Sequence, residues 1–251
     1  GLMNAQFAIK NKEIFLLEAN PRASRTAPFV SKAVGVQLAK LGALVMSGVK
    51  IKELNLPTSN TDKPYFSVKE AVFPFSKFPE VDVLLGPEMK STGEVMGFGK
   101  TFGEAYFKAQ RAAGVILPKT GNVFISVRDH DKKPICEVAS ELIEMGFKVY
   151  ATSGTFDYLI SAGIECFKIN KVKDGHPHIV DMIKNNEVHL IINTTEGARS
   201  IKDSFSIRKE AQNHKISLTT TVSGAKAFCK AIKFIDDFGA QDLKQRHSST
   251  F

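Results

Sequence analysis

Apolar and polar positions follow two different periods along this chain, and the change from one to the other divides it. Residues 3–10 and 13–20 are strand-like runs joined by the short polar pair Asn11-Lys12, so they predict a hairpin. Residues 27–47 follow with apolar positions at Phe29, Val30, Ala33, Val34, Leu38 and Leu41, the spacing of one helical face. A polar linker is expected at 57–64, an alternating strand at 65–75, and a helix over 101–113 that ends near Gly114.

From about residue 120 the pattern becomes a regular alternation of strand and helix. Strands are expected at 122–127, 147–151, 166–170, 188–193 and 215–219, with amphipathic helices between them. The helix over 134–145 would bury Ile135, Val138, Leu142 and Ile143, and Gly146 is placed to take the left-handed conformation that ends it. Short alternating units of this kind predict an α/β fold with a parallel sheet covered by helices on both faces.

Composition narrows the class. The chain has 251 residues, 43% hydrophobic and 24% charged, which allows one complete domain and part of another in a soluble globular protein. No run approaches the roughly 20 apolar residues that span a bilayer, and no signal peptide is visible, so no membrane partner is expected. A chain that opens inside a sheet reads as a piece of a longer protein. Cys136, Cys166 and Cys229 are an odd number without metal-ligand spacing and read as free thiols of a reducing cytosol. The net charge of +8 is spread along the chain, without the basic–aromatic interleaving of a nucleic-acid surface, and no nucleic-acid partner is expected.

Two groups of residues carry candidate chemistry. Glu18, Asn20 and Arg22 fall on one face of a strand, and Gln6 sits on its hairpin partner. A carboxylate and amide oxygens suit magnesium on nucleotide phosphates, and Arg22 and Arg25 suit a transferring phosphoryl group. A polar sheet face that simply ends at Pro21 fits the same spacing. The second group gathers at the carboxyl edge of the predicted sheet, where ligands of open α/β folds sit. It comprises Lys132 after the first strand, Thr152-Ser153-Gly154-Thr155 after the second, Lys171 after the third and Asn193-Thr194-Thr195 after the fourth. Small hydroxyls and free backbone N–H groups at a helix start favour a phosphate, and Ser126 and Ser204 are placed to line such a pocket. Helix-capping threonines and surface lysines are the bland alternative.

Longer motifs add a resemblance. Gly1–Ala8, Leu17-Glu18-Ala19-Asn20-Pro21-Arg22-Ala23-Ser24-Arg25-Thr26, Pro28-Phe29-Val30-Ser31-Lys32-Ala33 and Leu85-Gly86-Pro87-Glu88-Met89-Lys90-Ser91-Thr92-Gly93-Glu94-Val95-Met96-Gly97 resemble the large subunits of bacterial carbamoyl-phosphate synthases. The resemblance runs from Gly1 to about residue 240. It implies a truncated ATP-grasp remnant with its connecting region over 1–114, and a methylglyoxal-synthase-like, Rossmann-like allosteric domain over 115–251.

What the resemblance implies is specific. The whole subunit would be a cytoplasmic, glutamine-hydrolysing ligase that phosphorylates carbamate with ATP, feeding arginine and pyrimidine biosynthesis. Gln6, Glu18 and Asn20 would hold Mg2+ or Mn2+, with Gln6 and Glu18 also at the ATP; Arg22 and Arg25 would be catalytic, and the isolated piece would be inactive. Ser126, Lys132, Thr152, Gly154, Thr155, Lys171, Asn193, Thr194, Thr195 and Ser204 would form the allosteric nucleotide site for effectors such as UMP and IMP. Partners would be the remainder of the large subunit and a glutaminase small subunit, with homo-oligomers left open.

Glu70 matches an acidic residue of the family's ornithine site, but Thr219 stands where an aspartate is expected beside Thr220, so weak or absent ornithine activation follows. The region 65–113 lies between the two sites in sequence and is the expected relay. A stand-alone nucleotide sensor without catalysis is the alternative. Methylglyoxal synthase itself is disfavoured: Arg128 replaces its loop histidine, and Lys173-Asp174-Gly175-His176-Pro177-His178 lacks the acid needed as catalytic base. His130, His176 and His178 then read as surface or capping residues.

Overall fold

In a computed structural model of the chain, residues 1–54, 56, 64–75, 82–85, 90–196, 201–202, 204–237, 239–240 and 242 are described. The linker at 57–63, Gly86-Pro87-Glu88-Met89 of the long motif and the tail beyond 242 lie outside the described residues. Two compact units result: Gly1–Pro64 with Gly239–Phe251, and Tyr65–Phe238.

The first unit opens with a hairpin of β1 (Asn4–Lys10) and β2 (Glu13–Asn20). Asn11 and Lys12 both take left-handed backbone conformations, φ 51° and 68°, as a tight two-residue turn between twisted strands requires. Two helices follow, α1 (Thr26–Val34) and α2 (Leu38–Met46), bent by 112° to one another. The sequence pattern predicts one helix over 27–47; the structure corrects this. Gly35 adopts φ 77° and its N–H caps the Ser31 carbonyl at 3.0 Å, a glycine C-cap that overrides the apolar periodicity running through it.

The second unit begins with an antiparallel pair, β3 (Phe66–Val72) and β4 (Gly93–Gly99), packed on α3 (Phe102–Ala112). Gly97 permits that approach, since a Cβ there would lie 1.9 Å from the Ala105 carbonyl oxygen. Thr101 caps α3 through the Glu104 N–H. Residues 65–114, which the motifs group with the first region, therefore fold within the second unit.

The rest of this unit is the expected α/β layer. Strands β5 (Gly121–Ser126), β6 (Phe147–Ala151), β7 (Phe167–Lys168), β8 (Leu190–Asn193) and β9 (Ser217–Thr219) form a five-stranded, wholly parallel sheet in the order β7-β6-β5-β8-β9. The intervening helices are α4 (Lys132–Glu144), α5 (Ser153–Ser161), α6 (Ile179–Lys184) and α7 (Phe205–Asn213), and α8 (Val222–Ile232) closes the layer. Gly146 ends the turn after α4 with φ 88°.

Side-chain alternation on the central strands assigns the two faces. Val123 and Ile125 of β5 and Leu190 and Ile192 of β8 pack with Val138 and Leu142 of α4 and Phe228 and Cys229 of α8. Phe124 and Ile191 point the other way and pack with Ile179, Ile183 and Ile207 of α6 and α7. Ile135, Val138 and Leu142 are completely buried, each contributing roughly 1.5–3 kcal/mol. Cys166 and Cys229 are buried free thiols and Cys136 is half-buried; burial pushes the Cys229 thiol up to about 12.

Candidate functional site

The strand order reverses direction between β5 and β8, where the chain, having added β6 and β7 on one side, crosses to the other. At such a switch point the connections diverge and leave a crevice beyond the carboxyl ends of the strands. A cavity of about 580 Å³ opens there. Ser126 and Asn193, paired in register at the ends of β5 and β8, form its floor, and the β6–α5 connection contributes Thr152.

Its polar wall is cross-linked. The Ser126 and Thr152 hydroxyls lie 3.1 Å apart, the Thr194 N–H donates to the Ser126 carbonyl at 3.1 Å, and the Arg128 N–H donates to Thr194 Oγ1 at 3.1 Å. Arg128 Nε donates to Asp131 at 2.8 Å. Burial alone would raise the Asp131 carboxyl, but the Thr194 and Arg128 hydrogen bonds and the Arg128 charge outweigh it and hold it below its ordinary value. One strong acceptor is left over. Asn193 is 2% exposed, yet its Oδ1 is buried without a hydrogen-bond partner at the cavity floor. An orphaned buried amide oxygen is costly and marks a place for a ligand donor.

Of the ten residues singled out at this edge, Ser126, Thr152, Lys171, Asn193, Thr194, Thr195 and Ser204 line the cavity. Lys132, Gly154 and Thr155 are not among the lining residues. The Thr155 hydroxyl accepts from the Val127 N–H at 3.2 Å and fixes the β5–α4 connection, while Lys132 Nζ is paired with Asp129 at 2.7 Å. A methyl group built on Gly154 would meet Lys132 Nζ at 3.4 Å, so these two are neighbours. Val127, Arg128, Asp129, His130, Val172, Lys173, Glu196 and Ile207 also line the cavity, beyond the residues that the sequence pattern nominates. Most continue loops already nominated; Ile207 is the exception, an apolar wall from α7. The next residue, Arg208, is 1% exposed and makes a two-pronged bond to Asp82, Nε to Oδ1 at 2.7 Å and Nη2 to Oδ2 at 2.6 Å. That pair is separated by 126 residues and has no sequence signal beyond a charge on an otherwise apolar helix face.

The first constellation is shaped differently. Gln6 and Glu18 are direct partners across the hairpin and Asn4 faces Asn20, so Gln6, Glu18 and Asn20 share one face. A bulge at Gln6/Phe7 switches the register, which gathers Phe7, Ile9, Ile14 and Leu16 on the opposite face. Arg22 lies past the end of β2, its N–H donating to the Asn20 carbonyl at 2.8 Å, and Arg25 is the residue that precedes α1. Amide, carboxylate and amide oxygens on one face fit a hard divalent cation.

Glu70 on β3 is half-buried; burial raises its carboxyl above the ordinary value, opposed by a hydrogen bond from Gln110. The Thr219 hydroxyl is occupied within its own turn, by the Thr221 backbone at 3.3 and 3.4 Å.

Comparison with known proteins places these two units. Residues 134–220 match the MGS-like domain, which defines the class of the second unit, and residues 1–54 match the carbamoyl-phosphate synthase L chain ATP-binding domain. The carbamoyl phosphate synthase large chain of Pseudomonas syringae pv. tomato is 55% identical over 248 residues, 99% of this chain and 23% of the relative. Those of Haemophilus ducreyi and Xanthomonas axonopodis pv. citri are 52% and 50% identical, covering 100% and 98% of this chain. Along almost its whole length the chain is similar to carbamoyl phosphate synthase large chains, and it spans about a quarter of the length of the relatives it matches.

Proposed function

We propose that the second unit is a sensor for nucleoside monophosphates and that the first supplies part of a carbamate-phosphorylating ATP site in a larger subunit. The observation that carries the sensor reading is the switch-point cavity, large enough for a nucleotide, with the unpaired Asn193 Oδ1 on its floor. The Lys171 ammonium, the Thr194 and Thr195 hydroxyls and the start of α5 supply the phosphate side. UMP and IMP are the effectors with which to test it.

In the first unit Gln6, Glu18 and Asn20 would hold Mg2+ or Mn2+, which when bound would neutralise the phosphates of ATP. Gln6 and Glu18 would also face the nucleotide, and Arg22 and Arg25 would carry charge towards the transferred phosphoryl group. These residues position and neutralise, which is most of what phosphoryl transfer asks of a protein. The whole enzyme would act in the cytoplasm, draw ammonia from a glutaminase small subunit and respond weakly, if at all, to ornithine, since Thr219 offers no carboxylate to an ammonium group.

Calorimetric titration of the chain with UMP and with IMP tests the sensor. Micromolar, saturable binding by at least one of them is the expected result. Absence of binding to the folded chain by both would remove the sensor reading.

A further inference from the structure

Among the described residues, one cluster of metal-type ligands lies outside the cavity wall: His176, His178 and Asp181. We propose that these three side chains form a binding site for a zinc-type divalent transition-metal ion. Their ligand atoms all lie within 4.8 Å of one another. Asp181 Oδ2 is the common centre, 2.6 Å from His176 Nδ1 and 3.1 Å from His178 Nδ1, and the imidazole rings stand 4.3 Å apart between centroids. Modest rotations about the side-chain torsions bring such a set around one ion.

The donor chemistry fixes the class of metal. Two imidazole nitrogens and one carboxylate oxygen select Zn2+, Co2+, Ni2+ or Cu2+, whereas Mg2+ and Ca2+ prefer all-oxygen sets. The site is also partly built before metal arrives. The His178 N–H donates to Asp181 Oδ2 at 2.9 Å, and the Asp181 N–H approaches His178 Nδ1 at 3.4 Å, which ties both ligands to the start of α6. His178 is buried while the His176 side chain is 76% exposed, so the third ligand closes from solvent and room remains for water on the ion. A helix cap accounts for the His178–Asp181 bonds; it does not account for His176, which adds the second imidazole.

The placement gives the site a consequence. His178 forms a parallel bridge with Asn170, and the turn enclosed between them carries Lys171 and Lys173 to the cavity wall. An ion on His176, His178 and Asp181 would pin the closing end of that turn.

Zn2+ titration of the tag-free chain by calorimetry, with Co2+ absorption as an optical readout and Mg2+ as control, tests the assignment. The expected result is one Zn2+ per chain, a visible Co2+ band, no response to Mg2+, and affinity weakened about tenfold or more in His176→Ala. His176 is exposed, so that variant should keep the native circular dichroism; Asp181→Asn is the second variant. No saturable Zn2+ binding by the unmodified chain would overturn the proposal. So would equal affinity in the unmodified chain and His176→Ala, because the metal would then sit elsewhere.

Discussion

The hairpin and the parallel sheet are built from strands of similar apolar content, yet they reach opposite ends of the burial scale. Ile9 and Ile14 in the hairpin are 75% and 70% exposed, whereas Phe124, Ile125 and Ile191 in the sheet are 0% exposed. The difference lies in what covers them. Parallel strands are linked by crossover helices, so each strand pair arrives with its own cover on both faces. A hairpin closes on two residues and brings no cover, and two strands alone cannot exclude water. The site on the sheet therefore has walls, a floor and an orphaned acceptor, all from one chain. The proposed phosphoryl-transfer site on the hairpin has ligands on an open face and needs further protein surface around it.

The largest effect that would sharpen this contrast is on the catalysis proposed for the full-length subunit. Glu18→Gln, measured as carbamoyl phosphate formation from carbamate and ATP, should lower kcat by about 10²–10³-fold and leave UMP or IMP binding unchanged. An undiminished kcat would remove Glu18 from the proposed phosphoryl-transfer site. Stability of the chain comes next. Leu142→Ala, in the fully buried stripe of α4, should cost about 2–5 kcal/mol in denaturant unfolding. Ile9→Ala on the exposed hairpin should stay within about 0.5 kcal/mol. Equal costs would mean that the hairpin's apolar face is covered in solution.

How much of this was legible in the sequence follows the same division. The helices of the sheet domain stood out because each buries one face, which writes a period into the sequence, and the central strands because both of their faces are covered, which writes short continuous apolar runs. The hairpin was equally plain, since two strand-like runs are joined there by the short polar pair Asn11-Lys12. The break at Gly35 was hidden because the apolar stripe continues through it into α2. At the cavity, hydroxyls and lysines at strand ends could be read off the chain, while Ile207 and the Arg208–Asp82 pair could not. Those come from packing between elements distant in sequence, and no local pattern announces them. His176 and His178 read as surface or capping residues and nothing in the sequence pattern singled out Asp181; it took three dimensions to bring the second imidazole onto the same carboxylate.

A smaller effect would probe the sheet's own site. Lys171 lines the cavity, so Lys171→Ala should weaken nucleotide binding about tenfold, roughly 1.4 kcal/mol. Thr155→Ser keeps the hydroxyl that bonds Val127 N–H and should change affinity less. If the order of these two variants were reversed, Lys171 would have to be removed from the phosphate side, which would then rest on the start of α5.

The smallest effect expected is a pH-dependent one at Glu70, on the β3 strand that packs against α3. Burial raises its folded pKa above the ordinary value of 4.5, so the folded state favours the proton more than the unfolded chain does. The stability it contributes is then fully present below 4.5 and is lost as pH rises through the raised value. At pH 7 the ionised carboxylate keeps its desolvation cost, and Glu70→Gln removes it while retaining a partner for Gln110. The midpoint of thermal unfolding should therefore rise by roughly a few degrees in Glu70→Gln at pH 7, and the gap should narrow as pH falls towards the ordinary value. A gap that widened on acidification would show the reverse, a carboxylate held ionised by a positive neighbour in the fold.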